Sequence, residues 1–245
     1  MNPSHTETLL ALGLGPSIVG ISDFCPAVDG ASRLGSLYAP SLESIALLKP
    51  DRVFTVLRED HATPRRLRDL GIPVVSLDPQ SLEEVIEAVL RIGEEAGAAD
   101  AARALAGGLR ARLEGILRRA RARGKGPRVF VEVQASPLWT VGPGSFLDEA
   151  LLALGAENCF PDLSHPYATV SPEEVLRRNP EVVVSLHAKA AEIRARPGWE
   201  GVAAVRAGAI VDEFASGALA HGSPRLFDEI ERLEERLFPP EGASR

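Results

Sequence analysis

Pro3-Ser-His-Thr-Glu-Thr-Leu-Leu-Ala-Leu-Gly-Leu-Gly15 leads into Ile18-Val-Gly-Ile-Ser-Asp-Phe-Cys25, and this join decides the fold class. A polar turn opens a short helix with an apolar face of Leu9, Leu10 and Leu12, Gly13 and Gly15 end it, and a strand follows. The pattern is the loop, helix and strand of a parallel α/β unit without its opening strand. In open parallel sheets ligands bind beyond the C-terminal ends of the strands. Pro3, Ser4, His5 and Thr6 therefore sit at the edge of a site.

Working outward, apolar β-rich runs near 18–22, 52–57, 73–77, 128–134, 182–187 and 209–214 alternate with helical patterns. The alternation predicts an α/β architecture with parallel sheets. It breaks once, between Leu77 and Val129, where a helical pattern from Ser81 to Ala96 and a Gly97-Ala-Ala turn precede a second helix opening at Asp100 as N-cap. Ala101, Leu105, Leu109, Leu113, Ile116 and Leu117 form its apolar stripe, and Gly124-Lys-Gly-Pro127 ends it. A helix of about 23 residues spans about 35 Å, the length of a strut joining two lobes. The predicted organisation is an N-terminal α/β lobe over 1–98, a connecting helix over 99–125 and a C-terminal α/β lobe over 126–245.

The two lobes echo one another. Pro40-Ser-Leu-Glu-Ser-Ile-Ala-Leu-Leu-Lys-Pro-Asp-Arg-Val-Phe54 and Val170-Ser-Pro-Glu-Glu-Val-Leu-Arg-Arg-Asn-Pro-Glu-Val-Val-Val184 each give a Ser-capped helix with an early carboxylate, a proline stop and a strand. A pseudo-symmetric pair would offer a ligand equivalent loops from both sides, and small-molecule sites favour such places.

Composition removes several classes. With 245 residues, 45% hydrophobic, the chain can bury a substantial core, and a net charge of -7 lacks the basic footprint a nucleic acid requires. The one basic run, Arg118-Arg-Ala-Arg-Ala-Arg-Gly-Lys125, reads as a solvated helix end. Cys25 and Cys159 belong to no zinc spacing or disulfide framework and read as small buried residues. No apolar run reaches a membrane span, and the first residues carry no export signal.

Taken in order, Pro3-Ser-His-Thr-Glu-Thr, Leu42-Glu-Ser-Ile-Ala-Leu-Leu-Lys-Pro-Asp51, Leu70-Gly-Ile-Pro73, Pro137-Leu-Trp-Thr-Val-Gly-Pro-Gly-Ser-Phe146, Gly155-Ala-Glu-Asn158, Val170-Ser-Pro-Glu-Glu-Val-Leu176 and Ser223-Pro-Arg225 cover nearly the whole chain. In that order they resemble the periplasmic substrate-binding proteins of ABC importers for cobalamin, haem and ferric siderophores, and most of all the cobalamin branch. The resemblance implies two Rossmann-like lobes joined by one rigid helix, a ligand cleft between them, an extracytoplasmic location and a monomer. It implies a bound metal chelate, cobalamin foremost, as cargo and not as catalyst, and the transmembrane permease subunits as partner. Members begin with a signal sequence and a strand before the Pro-Ser. Here only Met1-Asn2 precede it, so the first strand is expected to lie upstream of a start placed too late, or else the protein stays in the cytoplasm.

Carried onto this chain, the resemblance assigns ligand contact to Pro3, Ser4, His5, Tyr38, Arg58, Trp139, Phe146 and His221, the last in a loop of the second lobe. Aromatic faces suit a large flat ring; the plainer reading of Trp139 is a core or rim aromatic. His5 is either a polar helix start or an axial metal ligand, and Arg58 either meets a ligand carboxylate or phosphate or is a solvated loop arginine. Leu57 stands where some cobalamin binders carry tryptophan. For the permease, Glu173 matches the acidic docking residue of the second lobe. In the first lobe the simplest register puts His61 at that place with Glu59 two residues away, while Glu43 reads as a helix cap.

A competing enzyme reading would use His5 with Glu7, or His187 with Glu192, and would let Gly142-Pro-Gly-Ser145 bind an anion before a helix. No nucleophile elbow, Walker loop or metalloprotease spacing accompanies these residues. A third reading is a cytoplasmic ligand-handling protein without a permease. Binding without catalysis is the expectation.

Overall fold

The computed structural model describes residues 2–214 and 221–239. The chain forms two compact units. The first comprises the residues up to Pro79, Glu83–Arg110 and His221–Arg225, and the second comprises Gln80–Leu82, the residues from Ala111 to Ala220 and those from Leu226 onward.

In the first unit the order is α1 (Pro3–Ala11), β1 (Gly20–Ile21), β2 (Ser32–Arg33), α2 (Leu42–Leu48), β3 (Val53–Thr55), α3 (Ala62–Asp69), β4 (Val74–Ser76) and α4 (Leu82–Glu95). Its parallel strands form two separate pairs, β1 with β2 and β3 with β4. The core follows them. Leu34, Leu37, Ile45, Val53, Leu67 and Ile72 pack together, while Ile18, Ile21 and Cys25 form a smaller cluster.

The long helix α5 (Ala99–Arg123) has 25 residues, about 37 Å at the α-helical rise. It opens one residue earlier than the sequence predicts, so Asp100 lies inside the first turn and pairs with Arg103. The predicted stripe is also rotated: Ala102, Ala106, Leu109, Ile116 and Ala120 are buried, while Ala101 is exposed. The cause is the close crossing with α4. Any Cβ at Gly93 would collide with that of Ala102, so a small-residue face approaches a glycine and turns inward.

The second unit holds β5 (Arg128–Glu132), β6 (Gln134–Ala135), β7 (Leu138–Val141), α6 (Phe146–Ala153), β8 (Glu157–Asn158), β9 (Tyr167–Thr169), α7 (Pro172–Arg178), β10 (Val182–Ser185), α8 (Ala190–Arg194), α9 (Ala203–Ala207), β11 (Ile210–Val211) and α10 (Arg225–Leu237). Its main sheet is four parallel strands ordered β11-β10-β5-β8. Phe130, Phe160 and Trp199 centre the core, with ring centroids 5.8 Å and 6.1 Å from Phe130. All six predicted strand regions carry a strand. To the expected parallel sheets the structure adds an antiparallel one, β6-β7-β9, whose short strands give no readable period.

The basic run at the end of α5 is more than a solvated terminus. Arg119 and Arg123 both bind the Glu234 carboxylate of α10, and Arg112 binds Asp228 and Glu231. Glu234 is buried in the apolar face that α10 turns inward with Leu226, Ile230, Leu233 and Leu237, and two guanidinium groups neutralise it there. Among the described residues no helix is long and apolar enough to cross a membrane.

Candidate functional site

In the first unit the opening turn of α1 organises one edge. Asn2 is extended, Pro3 starts the helix, and Pro3 through Thr6 are buried. The Thr6 hydroxyl donates to Cys25 Sγ at 3.3 Å, and a His5 Nε2–Leu77 carbonyl bond of 3.0 Å reaches the end of β4. One turn thereby holds both the loop after β1 and the loop after β4, so the two strand pairs end at the same edge. Arg33 fixes the first of these loops by donating to the carbonyls of Ser22, Asp23 and Cys25 at 2.8, 3.3 and 3.0 Å.

His5 is 2% exposed, and burial holds its pKa down to about 3. The ring is neutral at ordinary pH, and because a carbonyl can only accept, Nε2 carries the proton. Nδ1 is then an acceptor, and it has no partner. His5 is thus buried and tied to the end of β4; among the described residues no group of three His, Cys, Asp or Glu could hold a metal ion.

A 400 Å³ cavity at the ends of β3 and β4 is lined by Leu57, Arg58, Glu59, Asp60, Leu77 and Asp78, among others. Arg58 is exposed and reaches Asp60 at 3.3 Å; Glu59 lies 3.6 Å from Arg68. Burial, with the Glu84 charge, raises the Asp78 pKa above the ordinary carboxylate range. Tyr38, in the loop before α2, is 66% exposed, and so is Phe24 in the loop after β1. Sequence reasoning missed Phe24; an aromatic directly after a strand end was the available signal.

His221 joins this unit. Ser223 Oγ donates to Glu7 at 2.5 Å, and Arg225 lies 3.6 Å from the same carboxylate. The motifs at the two ends of the sequence, Pro3-Ser-His-Thr-Glu7 and His221-Gly-Ser-Pro-Arg225, therefore meet at Glu7. Burial lowers the pKa of His221, against the pull of the Glu7 charge.

In the second unit Trp139 lies on β7 opposite Thr169, and Tyr167 lies opposite Val141. Paired and alternate residues share a face of a pleated sheet, so the half-buried Trp139 and the exposed Tyr167 stand on one face, while Leu138 and Thr140 face the other way and are buried. Phe146 starts α6 and is buried. The Gly142-Pro-Gly-Ser145 loop leads into α6 through its own cap. Ser145 accepts from the Asp148 backbone N–H, and Asn158 Nδ2 donates to the buried Asp148 carboxylate at 2.7 Å. At the ends of β5 and β10 the fully buried Glu132 is held by Arg196 and accepts from Ser185 Oγ at 3.3 Å, with the guanidinium 4.7 Å from the Trp199 ring centre. Cys159 is buried too, which pushes its thiol pKa up to about 11.

The two repeats are superimposable in their local chemistry. Ser41 and Ser171 each accept from the backbone N–H three residues on, at 3.2 Å, and each following helix has seven residues. Lys49 and Asn179 then both turn at φ 47° before a proline and a core strand. In this register Glu43 corresponds to Glu173, and His61 is instead the N-cap of α3. The Glu173 carboxylate accepts from its own N–H and from Ser171, which hold its pKa below the ordinary range.

Known proteins share this architecture. An uncharacterized ABC transporter substrate-binding lipoprotein of Bacillus subtilis is 30% identical, over 97% of this chain and 78% of its own length. A vitamin B12-binding protein of Salmonella paratyphi A is 30% identical over 79% of this chain and 73% of its own. The crystal structure of the periplasmic vitamin B12-binding protein of Vibrio cholerae matches with a TM-score of 0.79 and 25% identity, covering 97% of this chain and 94% of that one. With residues 1–212 matching its pattern as well, the chain belongs to the periplasmic binding protein family.

Proposed function

We propose that this protein is the substrate-binding component of an ABC importer, works outside the cytoplasm as a monomer, and carries a corrinoid. The observation that carries the reading is the set of exposed or half-buried aromatic side chains in each unit: Phe24 and Tyr38 in loops of the first, Trp139 and Tyr167 on one face of the β7–β9 pair in the second. Rigid aromatic faces bury area against a flat macrocycle with little loss of conformational freedom. The B12-binding relatives support the same choice of ligand. Pro3, Ser4 and His5 act in this reading by holding the loop ends, with Arg58 and His221 at the ligand's polar rim and Phe146 packed at the start of α6. No step of catalysis is involved.

Titration with cyanocobalamin, haem and a ferric siderophore, followed by absorbance and tryptophan quenching, tests it. One-to-one cobalamin binding that weakens at least tenfold in Trp139→Ala supports the reading, a change of about 1.4 kcal/mol. Binding of haem or siderophore alone keeps the importer role and moves the substrate; turnover of a metal into a macrocycle would sink it.

For docking to the permease, the repeat register favours Glu43 as the partner of Glu173, since both sit on the exposed second position of equivalent helices. Glu59 has no counterpart in the repeat and faces Arg68. Opposite charge across such an interface steers association. Glu43→Lys and Glu173→Lys should each weaken permease binding while leaving ligand affinity unchanged, and Glu59→Lys should do neither.

A further inference from the structure

Directly after β1 the chain makes a tight turn with buried corners and an exposed centre. The Cys25 backbone N–H donates to the Ser22 carbonyl at 3.1 Å, so Asp23 and Phe24 are the two central residues of a β-turn. Both corners are tied down. Ser22 is fully buried and Cys25 nearly so, Thr6 Oγ1 donates to Cys25 Sγ at 3.3 Å, and Ser22 Oγ lies 3.3 Å from the same sulfur. Asp23 and Phe24 are exposed.

Arg33, the last residue of β2, holds this turn from the side. β1 and β2 run parallel with Ile21 paired to Arg33, so the turn begins one residue beyond that pair. A single nitrogen, Arg33 Nη1, donates to the carbonyls of Ser22, Asp23 and Cys25 at 2.8, 3.3 and 3.0 Å, while the Asp23 N–H donates to the Gly35 carbonyl at 3.0 Å. Hydrogen bonds from a cation are the stronger kind. Three carbonyls that converge on one guanidinium fix the peptide planes before Asp23, before Phe24 and after Cys25. The backbone on either side of Phe24 is thereby set, and with it the direction in which the 66% exposed ring leaves the chain.

We infer that Arg33 is a positioning residue for ligand binding: by holding the Ser22–Cys25 turn it presents Phe24, already oriented, to the flat ring of the ligand. The inference rests on the reading that Phe24 meets the ligand, and Arg33 acts only through it. A loop ordered before binding loses less freedom when the ligand arrives, so the gain appears as affinity.

Arg33→Ala, Phe24→Ala and the double variant are compared with the unchanged protein, by titration with cyanocobalamin, haem and a ferric siderophore and by hydrogen exchange without ligand. In Arg33→Ala the Cys25 amide should exchange at least about tenfold faster, while the Leu77 amide, bonded to the Thr55 carbonyl across the β3–β4 pair, keeps its rate. Affinity for the probe that binds should fall at least about tenfold when Phe24 is present and less than about twofold when Phe24 is already alanine. An arginine with a merely structural role would weaken binding equally in both backgrounds. That result overturns the inference, as does an unchanged Cys25 amide or an unchanged affinity in Arg33→Ala. If the unchanged protein binds none of the probes, or Phe24→Ala alone leaves affinity intact, the reading of the ligand contact has failed and the inference falls with it; sensitivity to Phe24 without sensitivity to Arg33 marks failure of the inference alone. Should Arg33→Ala fail to fold, Arg33→Gln, which keeps a neutral amide on a shorter stem, goes through the same cycle against the same thresholds.

Discussion

The two repeats differ less in themselves than in what surrounds them. Ser41 through Val53 and Ser171 through Val183 fold alike, with the same cap, the same left-handed turn and the same buried contacts at Ile45 and Val175. Yet β10 is paired on both sides while β3 is paired in its sheet with β4 alone. The last residue of each helix shows the same contrast. Arg178 is bonded to Glu174 and Asp162 and stacked 4.2 Å from the Phe160 ring centre, whereas the equivalent Leu48 packs against the first unit's core and lines a cavity of about 650 Å³. A helix, its caps and the strand after it are specified by about a dozen consecutive residues; a sheet is completed only by strands that come from elsewhere.

The largest effect expected from this contrast is in core truncation. Phe130→Ala removes the ring at the centre of the second unit's aromatic cluster and should cost about 4 kcal/mol. Ile21→Ala, in the smaller cluster of the first unit, should cost about 2 kcal/mol, the low end for a buried aliphatic side chain. Both tryptophans, Trp139 and Trp199, lie in the second unit. In urea unfolding, Phe130→Ala should therefore shift the tryptophan-fluorescence and circular-dichroism transitions together, and Ile21→Ala should shift only the latter. Equal shifts of both signals in Ile21→Ala would mean that the units unfold as one and that the split sheet has no energetic consequence.

A middle-sized effect separates the two ends of α5. In the second unit Glu234 is buried between Arg119 and Arg123, and in the first Glu83 meets Arg110 at 2.9 Å with both side chains about half exposed. Burial raises the Glu234 pKa, but the arginine hydrogen bonds outweigh it and leave the group below its ordinary value. A carboxyl depressed in the folded state binds its proton more weakly there than when unfolded. Its contribution is complete above about pH 4.3 and fades as pH falls through the lowered value. Glu234→Gln should cost about 2 kcal/mol at pH 7, with the difference from the unchanged protein shrinking below about pH 4. Glu83→Gln should cost less than about 0.5 kcal/mol at either pH. Thermal melts at pH 7 and pH 3.5 check both, and a pH-independent loss in Glu234→Gln would assign its role to packing instead.

These contrasts also explain what was readable in the sequence. The six long strand regions, the Ser-capped helices and α5 were legible because each is encoded by local period and punctuation. The two-residue strands β2, β6 and β8 are too short to carry a period of their own. The buried state of His5 and the gathering of Ser223, Arg225 and His221 around Glu7 were illegible because distant residues create them: Leu77 lies 72 positions from His5, and Ser223 and Arg225 more than 200 from Glu7. Tyr38 and Trp139 stand out in the sequence as aromatics in the loop before α2 and beside the loop after β5, whereas Tyr167 is a candidate only through the pairing of β9 with β7.

The smallest effect is the sharpest test of the repeat. Lys49 and Asn179 both stand at φ 47°, where a side chain strains the backbone and glycine does not. At Lys49 the glycine substitution removes that strain, and Lys49→Gly should stabilise by about 0.7 kcal/mol. At Asn179 the balance reverses. Asparagine tolerates the left-handed region better, and its Oδ1 accepts from the Ala203 backbone N–H at 2.8 Å, tying the helix end to α9. Asn179→Gly leaves that N–H without its partner and should destabilise by about 1 kcal/mol. Opposite shifts in Tm would show that one backbone geometry serves a purely local stop in the first unit and a tertiary tie in the second. Stabilisation by both would reduce the difference to residue type and remove the Asn179 bond from any account of the second unit's stability.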